Sequence, residues 1–528
     1  MATTGISDSK TAATTTPISN ANLVAEFEHS EKIPQSDRID KEIACYVSDV
    51  PLDISPERNK ELRRKIDRRV LTIMMATYFL QGLDKGTLAS ASIMGIVRDT
   101  GMQDPNGAPT QQFSWLTTCV YIAILFVQYP QGFAISKLPI AKYLGFSIIA
   151  WSIVLGCHAI CQNFVGLLVC RTLLGIFESV CQPCFLILSA MWYRREEQAE
   201  RIAYWFMMSG GQHLVGGLLA YCFSLISHGP LASWQWLFLS YGIISFLFGI
   251  VVILWMPDSP MRANCFTEQE KREMVERVRD NQTGIQNRKF KLDQAIEGLL
   301  DPQVWGYGLI GLCTSLPSVG LTSFANILIK SFGFDVLQTQ LLSMVNGAIV
   351  IVVMLGSTWL VKKTNQTLLV MLGFSIIPFA GTIIFMTLPS MTESHRIGLL
   401  IAYYLTLSAW AVPTLNLSLI SRNIAGQSKK TVSVALNFII WAAGNAVGPQ
   451  VFLAKDSPRY FTAFATHIGC YGLLFVILVA LRFYLVRQNK KRDHIAATST
   501  GDEGTYAATD RAWGDLTDKE NLSFRYVF

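Results

Sequence analysis

From about residue 70 onward the chain alternates between stretches of roughly 20 residues with almost no charge and short polar connections, a rhythm that repeats twelve times. A bilayer core of about 30 Å needs roughly 20 apolar residues in helical form, and in lipid the backbone must satisfy its own hydrogen bonds, so each stretch predicts one membrane-spanning helix. The predicted spans cover about 70–93, 113–136, 143–162, 165–191, 202–227, 234–256, 304–330, 339–361, 367–388, 396–421, 430–453 and 462–486. Residues 1–54 are poor in aromatic side chains and have no periodicity, which predicts a disordered tail. Ser55-Pro56-Glu57 reads as a helix start and leads through the basic run Arg63, Arg64, Lys65, Arg68 and Arg69 into the first span. A polar segment over 257–303, opened by Pro257-Asp258-Ser259-Pro260, divides the spans six and six. Within it Thr267-Glu268-Gln269-Glu270 fits a capping box and predicts a surface helix to about Asp280. The expected architecture is an all-α membrane protein: six-helix bundles over 55–256 and 304–486, joined by the 257–303 connector and followed by a polar tail over 487–528.

Composition sharpens this picture. Apolar residues make up 51% of the chain and charged ones only 16%, against about a quarter in soluble domains, so a soluble enzyme is a poor description. The net charge of +6 does not point to nucleic acid, because most of the 44 Lys and Arg lie in the tails and on alternate connections. Arg98, Lys330, Arg396, Lys455 and Arg459 fall on the other side, and Lys85 and Arg171 fall inside spans. The positive-inside rule then places both termini in the cytoplasm, and the plasma membrane is the expected location. No cleavable signal peptide is expected, since the first span can direct insertion itself. In that topology Asn281 and Asn365, although each opens an Asn-x-Thr run, face the cytoplasm and stay unmodified.

The cysteines, among them Cys119, Cys157, Cys170, Cys222, Cys313 and Cys470, fall mostly in apolar windows and read as small core residues. Cys181-Gln-Pro-Cys184 has redox or metal spacing, but no second pair or His stands near it, so neither a metal nor a cofactor is expected. Glycines at 210, 211, 216 and 217 in the fifth span, echoed by Gly444 and Gly448 in the eleventh, mark close helix approach.

Four ionisable residues lie at membrane depth in the first bundle: Asp84 and Lys85 in the first span, Arg171 and Glu178 in the fourth. Each costs about 2.5–3.5 kcal/mol or more at a helix centre, so each needs a partner or a task. Arg171 and Glu178 share nearly one helix face with Gly175 between them, where the missing side chain leaves room for a ligand or for groups of the first span. Their bland role is to lock two helices together. Their functional role follows from charge. With both acids ionised the two cations are neutralised; a proton on Asp84 or Glu178 frees Lys85 or Arg171 to bind an anion, so proton and anion favour each other. The second bundle supplies neutral groups, of which Asn326, Tyr403, Asn437 and Asn445 are the candidates for holding a polar substrate, although for any one of them alone a helix–helix hydrogen bond is the more ordinary role.

The motif Arg171-Thr-Leu-Leu-Gly175-Ile-Phe-Glu178, with Gln81-Gly-Leu-Asp84-Lys85, Asn281-Gln-Thr-Gly284-Ile285, Phe332-Gly333-Phe334, Gly444-Asn445-Ala-Val-Gly448-Pro449 and the terminal Phe524-Arg525-Tyr526, resembles the major facilitator superfamily. Within it the sequence is most similar to the anion:cation symporters of the fungal allantoate-permease branch. The resemblance implies Asp84 and Glu178 as proton-binding groups, Lys85 as the carboxylate anchor and Arg171 as an electrostatic link. It also implies a gating loop after the second span, here carrying Gly132, Lys137 and Lys142, with Ser136 where the superfamily has an acid. The expected function is proton-coupled import of a small organic carboxylate by a monomer in the lipid bilayer, without enzymatic activity or nucleic-acid binding. A transporter-fold nutrient receptor and a uniporter or exchanger are the alternatives.

Overall fold

The computed structural model describes residues 54–104, 109–226, 229–263, 265–279, 291–388, 395–498, 517–521 and 524–528. All but the last residue of the expected disordered tail, the Asn281–Ile285 motif and residues 499–516 and 522–523 of the C-terminal tail lie outside them. Apart from one isolated bridge between Gln103 and Pro109, the described residues form helices and turns.

A short helix α1 (Pro56–Ile66), capped by Ser55, runs through one π turn into the first span, α2 (Thr72–Met94), which ends on Gly95 with φ of 118°. The second and third spans are α3 (Gln111–Lys137) and α4 (Ile140–Cys157). The fourth breaks at Ser179 into α5 (Phe164–Glu178) and α6 (Cys181–Trp192), and the fifth breaks at Met207 into α7 (Arg195–Phe206) and α8 (Met208–Ser224). The sixth is α9 (Ser233–Trp255). The connector holds the expected surface helix α10 (Glu268–Arg279) and a second one, α11 (Leu292–Leu300), that the sequence reading did not contain. The second half follows as α12 (Pro302–Ser331), α13 (Val336–Thr364), α14 (Thr367–Thr387), the broken tenth span α15 (Arg396–Thr406) and α16 (Ala411–Asn423), α17 (Gln427–Val447), and α18 (Phe461–Thr498). The last helix outruns its predicted end near 486 because its polar extension is held by the C-terminal residues, described below.

Among the described residues nine helices are long and apolar enough by composition to cross a membrane, namely the third, fourth, sixth and all six of the second half. The first, second and fifth, richer in polar residues, occupy the remaining positions. Large apolar side chains such as Phe126, Leu254 and Phe483, at 73–80% exposure, stand on the outer surface, which only a lipid environment would cover. Cys119 and Cys313 are buried as expected, whereas Cys157 and Cys222 are exposed on this surface and are not core residues.

The third span packs on the sixth, the second on the fourth and the first on the fifth; in the second half the seventh packs on the eleventh and the ninth on the tenth and twelfth. The halves meet along the fifth and eighth spans and along the second and eleventh. Backbone contact at the first of these seams depends on Gly210 and Gly347: a Cβ on Gly210 would lie 2.9 Å from the Gly347 carbonyl, and one on Gly347 would strike Gly210 O. Backbone cannot rotate away as a side-chain tip can. Gly347→Leu is therefore expected to destabilise the fold by about 1–3 kcal/mol through overpacking and to stop transport. Thermal unfolding of the purified protein and uptake per folded molecule check this; an unchanged transition temperature and rate would contradict it.

On the side that carries both chain ends, charges clamp each half. In the first, Arg58 pairs with Glu273 at 2.9 Å and Lys65 with Glu270 at 2.5 Å, joining α1 to α10. Arg277 of α10 is buried against Glu197, Asn59 and the Trp192 carbonyl, and Arg201 meets Asp67 at 3.1 Å. The Lys65 ammonium holds the Glu270 carboxyl below its usual range.

Candidate functional site

The four membrane-depth charges do not form one cluster. Asp84 and Lys85 are neighbours in sequence, but successive helical residues point about 100° apart, so they serve different interfaces. Asp84 is fully buried and turned toward the third and sixth spans, where Trp151 Nε1 donates to its Oδ2 at 3.0 Å and Ser245 Oγ at 3.2 Å. Its Oδ1 has no hydrogen-bond partner. Lys85 faces the fourth span, its Nζ 3.4 Å from Glu178 Oε2. The Glu178 side chain is at 0% exposure and that of Lys85 at 37%, so the lysine is the more accessible member of the pair. Neither is among the residues that line the cavity between the halves, although Leu83 and Gly86 on either side of Lys85 are.

Glu178 is the last residue of α5, where the span breaks. Gln81 Nε2 donates to the Glu178 carbonyl at 3.0 Å, Gln131 Nε2 to the Ile176 carbonyl at 2.5 Å, and Ser179 Oγ to Gln131 Oε1. Side-chain amides of the first and second spans thus take up carbonyls near the break and fix the carboxylate beside Lys85. Arg171, two turns earlier, is buried, and its guanidinium lies 5.6 Å from the centre of the Phe238 ring. Its Nε and Nη2 have no hydrogen-bond partner, and among the described residues it has no ion pair. Any electrostatic link that Arg171 makes to Asp84 or Glu178 therefore acts through space and not through an ion pair. Gly175 also departs from expectation: a Cβ there would lie 2.6 Å from the Val120 carbonyl, so the second span's backbone fills the space foreseen for a ligand.

A cavity lies between the halves, walled by the first, fifth, sixth, seventh, eighth and tenth spans. Asn326 and Tyr403 line it, as do Thr87, Gln212, His213 and Asn346. Asn346 Nδ2 donates to the Tyr403 hydroxyl at 3.2 Å while its Oδ1 is buried without a partner. Asn437 and Asn445 are placed elsewhere. Asn437 Oδ1 accepts from Asn416 at 3.4 Å, and Asn445 Nδ2 donates to the Trp441 carbonyl of its own helix at 3.0 Å, so both make structural bonds. Gln212 was not foreseen as a wall residue. The signal was the pair Gly82 and Gly86 on the facing helix, which the Gln212 side chain covers.

At the end away from the termini the halves are bonded across the cavity's mouth. Gln111 Nε2 donates to Gln450 Oε1 at 3.0 Å, Gln450 Nε2 to Thr118 Oγ1 at 2.9 Å, and Thr118 Oγ1 to the Ala446 carbonyl at 2.8 Å. Behind this seam Phe324 stacks on Phe452 and meets Phe113 edge-on, and Gln340 Nε2 donates to the Ser90 carbonyl at 3.3 Å. In the loop expected to gate the other end, Gly132, Lys137 and Lys142 are exposed. Lys137 lies over the Phe133 ring at 4.3 Å, and the Ala141 and Lys142 amides donate to Asp258 Oδ1 at 3.0 and 3.3 Å. Asp258, from the end of the sixth span, is thus the acid that organises this loop.

A helical fold of two membrane-embedded halves around a cavity with a few polar side chains in a largely apolar wall, bonded across at one end, defines a carrier. The Major Facilitator Superfamily pattern matches residues 74–449, and the chain belongs to that superfamily, whose members are carriers and not enzymes. It is 32% identical over 505 residues to the allantoate permease of Saccharomyces cerevisiae, covering 93% of this chain and 91% of the permease. An uncharacterised transporter of Schizosaccharomyces pombe is 34% identical over 474 residues, 88% of each chain. The high affinity cysteine transporter of Saccharomyces cerevisiae is 28% identical over 498 residues, covering 90% of this chain and 92% of that one. Among solved structures, the inward-facing, occupied form of a bacterial homologue of the human lysosomal transporter Spinster superposes with a TM-score of 0.56 at 15% identity, over 79% of this chain and 96% of that one.

Proposed function

We propose that the protein is a proton-coupled symporter that imports a small organic carboxylate by alternating access. The observation that carries this reading is the Lys85–Glu178 pair: a part-exposed lysine side chain 3.4 Å from a fully buried carboxylate, on the helix that also supplies Leu83, Gly86 and Thr87 to the cavity wall. A proton on Glu178 removes the charge that neutralises Lys85, and the freed ammonium takes the substrate's carboxylate. Asp84 is the second proton-binding candidate. Asn326, Tyr403 and Asn346 offer neutral hydrogen-bonding groups to the rest of the substrate. The mouth sealed at the end away from the termini agrees with an inward-facing state when both termini are cytoplasmic and the protein sits in the plasma membrane. The permease relative makes allantoate the first compound to try.

The test is uptake of radiolabelled allantoate and other small carboxylates by cells expressing the chain, at external pH 5 and 7. Saturable accumulation that is faster at the acidic pH is expected. Equal accumulation of a carboxylate and its uncharged amide, or uptake indifferent to pH, would overturn the reading.

A further inference from the structure

The C-terminal residues fold back onto the terminus-side end of the second half. Lys429, in the first turn of α17, has its side chain at 0% exposure and its Nζ within 2.7 Å of Asp518, 2.7 Å of Asp301 and 2.9 Å of Glu297. An ammonium has three N–H groups, and here each has a carboxylate, from the C-terminal segment, the start of the seventh span and α11 respectively. Asn423, ending the tenth span, exchanges two hydrogen bonds of 2.8 Å with the backbone of Val527. Arg492, on the extension of the last helix, donates to the Phe524 and Asp518 carbonyls at 2.6 Å and to the Tyr526 hydroxyl at 2.8 Å, and that hydroxyl donates to Asp518 Oδ2 at 2.7 Å. Asn489 bonds both backbone groups of Tyr526, and the Thr367 amide donates to the Phe528 carbonyl at 3.1 Å. The segment therefore touches the seventh, ninth, tenth, eleventh and twelfth spans and lies beside α11.

The first half has a counterpart of opposite polarity. There a buried arginine of the connector, Arg277, holds Glu197 at the start of the fifth span, and α1 closes the cluster. The fifth and eleventh spans form the seams between the halves, so what fixes their terminus-side starts fixes how each half pivots. In the first half α10 and a segment before the first span do this; in the second α11 and the start of the seventh span share that place with the residues after the last span.

We propose that Thr517–Phe528 is a positioning element of the transport cycle: it sets Lys429 and the turn between the tenth and eleventh spans so that the second half swings as one body. None of the segment's described residues lines the cavity, so its loss acts on the rate of alternation and leaves the affinity of the site alone. Charge matters as well as shape, because Asp518 supplies the third carboxylate that satisfies a fully buried ammonium.

The experiment compares the full chain, the chain ending at residue 516, Asp518→Asn and Asp518→Glu, each reconstituted in liposomes and counted by bound folded protein. Two rates per folded molecule are read: uptake of radiolabelled allantoate, and maleimide labelling of a Thr118→Cys probe at the sealed mouth, with the native exposed cysteines replaced by serine. The second needs no substrate, so it stands even where allantoate is not carried. Truncation is expected to slow both at least tenfold with KM within twofold, Asp518→Asn at least threefold, and Asp518→Glu to stay near the full chain. A synthetic peptide of residues 517–528, added to the terminus side, is expected to restore at least half the labelling rate of the truncated chain. Unchanged rates per folded molecule, even with a lowered unfolding temperature, would show the segment to be structural only and overturn the proposal, as would a rise in KM at constant maximal rate.

Discussion

Lys85→Ala is expected to lower kcat/KM for carboxylate uptake by about a hundredfold while the protein still folds and inserts. The two halves of that expectation have separate causes. The lysine side chain is at 37% exposure and is not part of the packed core, so its truncation costs less than that of a buried side chain. Glu178 is left without its cation in a buried place, and a carboxyl group there avoids the cost of an unpaired charge by holding a proton, so the loss of stability stays small. Binding is affected differently. A charge-assisted hydrogen bond between ammonium and carboxylate in a sheltered site is worth about 3 kcal/mol, or roughly a hundredfold, and nothing else on that face replaces it: Arg171 lies deep behind Phe238 and Asp84 points the other way. Lys85→Arg keeps the charge but presents a planar fork beside Glu178, so it is expected to fall between, about tenfold below the parent. Initial rates over a range of substrate concentrations, normalised to protein in the membrane, check both. Retained affinity in Lys85→Ala would place the carboxylate elsewhere.

The twelve helices were legible because lipid imposes a length and a composition on anything that crosses it, and a run such as Ser233–Trp255 satisfies both without reference to any neighbour. The cost of burying charge likewise marked Asp84, Lys85, Arg171 and Glu178. Which of them meet was not legible. Helical arithmetic separates Asp84 from Lys85, but it does not say that Trp151 and Ser245 wait on one side and Glu178 on the other; those partners come from packing between distant segments. Gly175 shows the same limit, since an absent side chain reads alike whether a ligand or the Val120 carbonyl fills the gap. Amides are the hardest to place. Asn326 and Asn437 are both polar positions in apolar helices, yet one lines the cavity and the other binds Asn416, a difference set by the rotation of each helix in the bundle. The docking of Asp518 on Lys429 left no local signature because each residue alone reads as a solvated surface charge.

Glu178→Gln carries the largest expected effect on energy coupling. The amide is close in shape to the protonated acid and has no charge, so it fixes the site in the state that the wild type reaches only after taking up a proton. Lys85 is then free at every pH. If the proposed coupling holds, the wild type's substrate affinity is expected to rise as external pH falls, because the acid must be protonated before the ammonium is released; in the variant that dependence is expected to vanish, with affinity at neutral pH matching or exceeding that of the wild type at acid pH. The driving force is lost with it. Each proton carried down a gradient of one pH unit supplies about 1.4 kcal/mol, roughly a tenfold accumulation of substrate, and a carrier that no longer moves the proton can only equilibrate. Vesicles with an imposed pH gradient are expected to concentrate the substrate with the wild type and to reach a ratio near one with Glu178→Gln, while exchange of labelled for unlabelled substrate continues. Accumulation that survives in Glu178→Gln but disappears in Asp84→Asn would move the proton to Asp84, between Trp151 and Ser245, and would leave the Lys85–Glu178 pair a structural bond between the first and fourth spans.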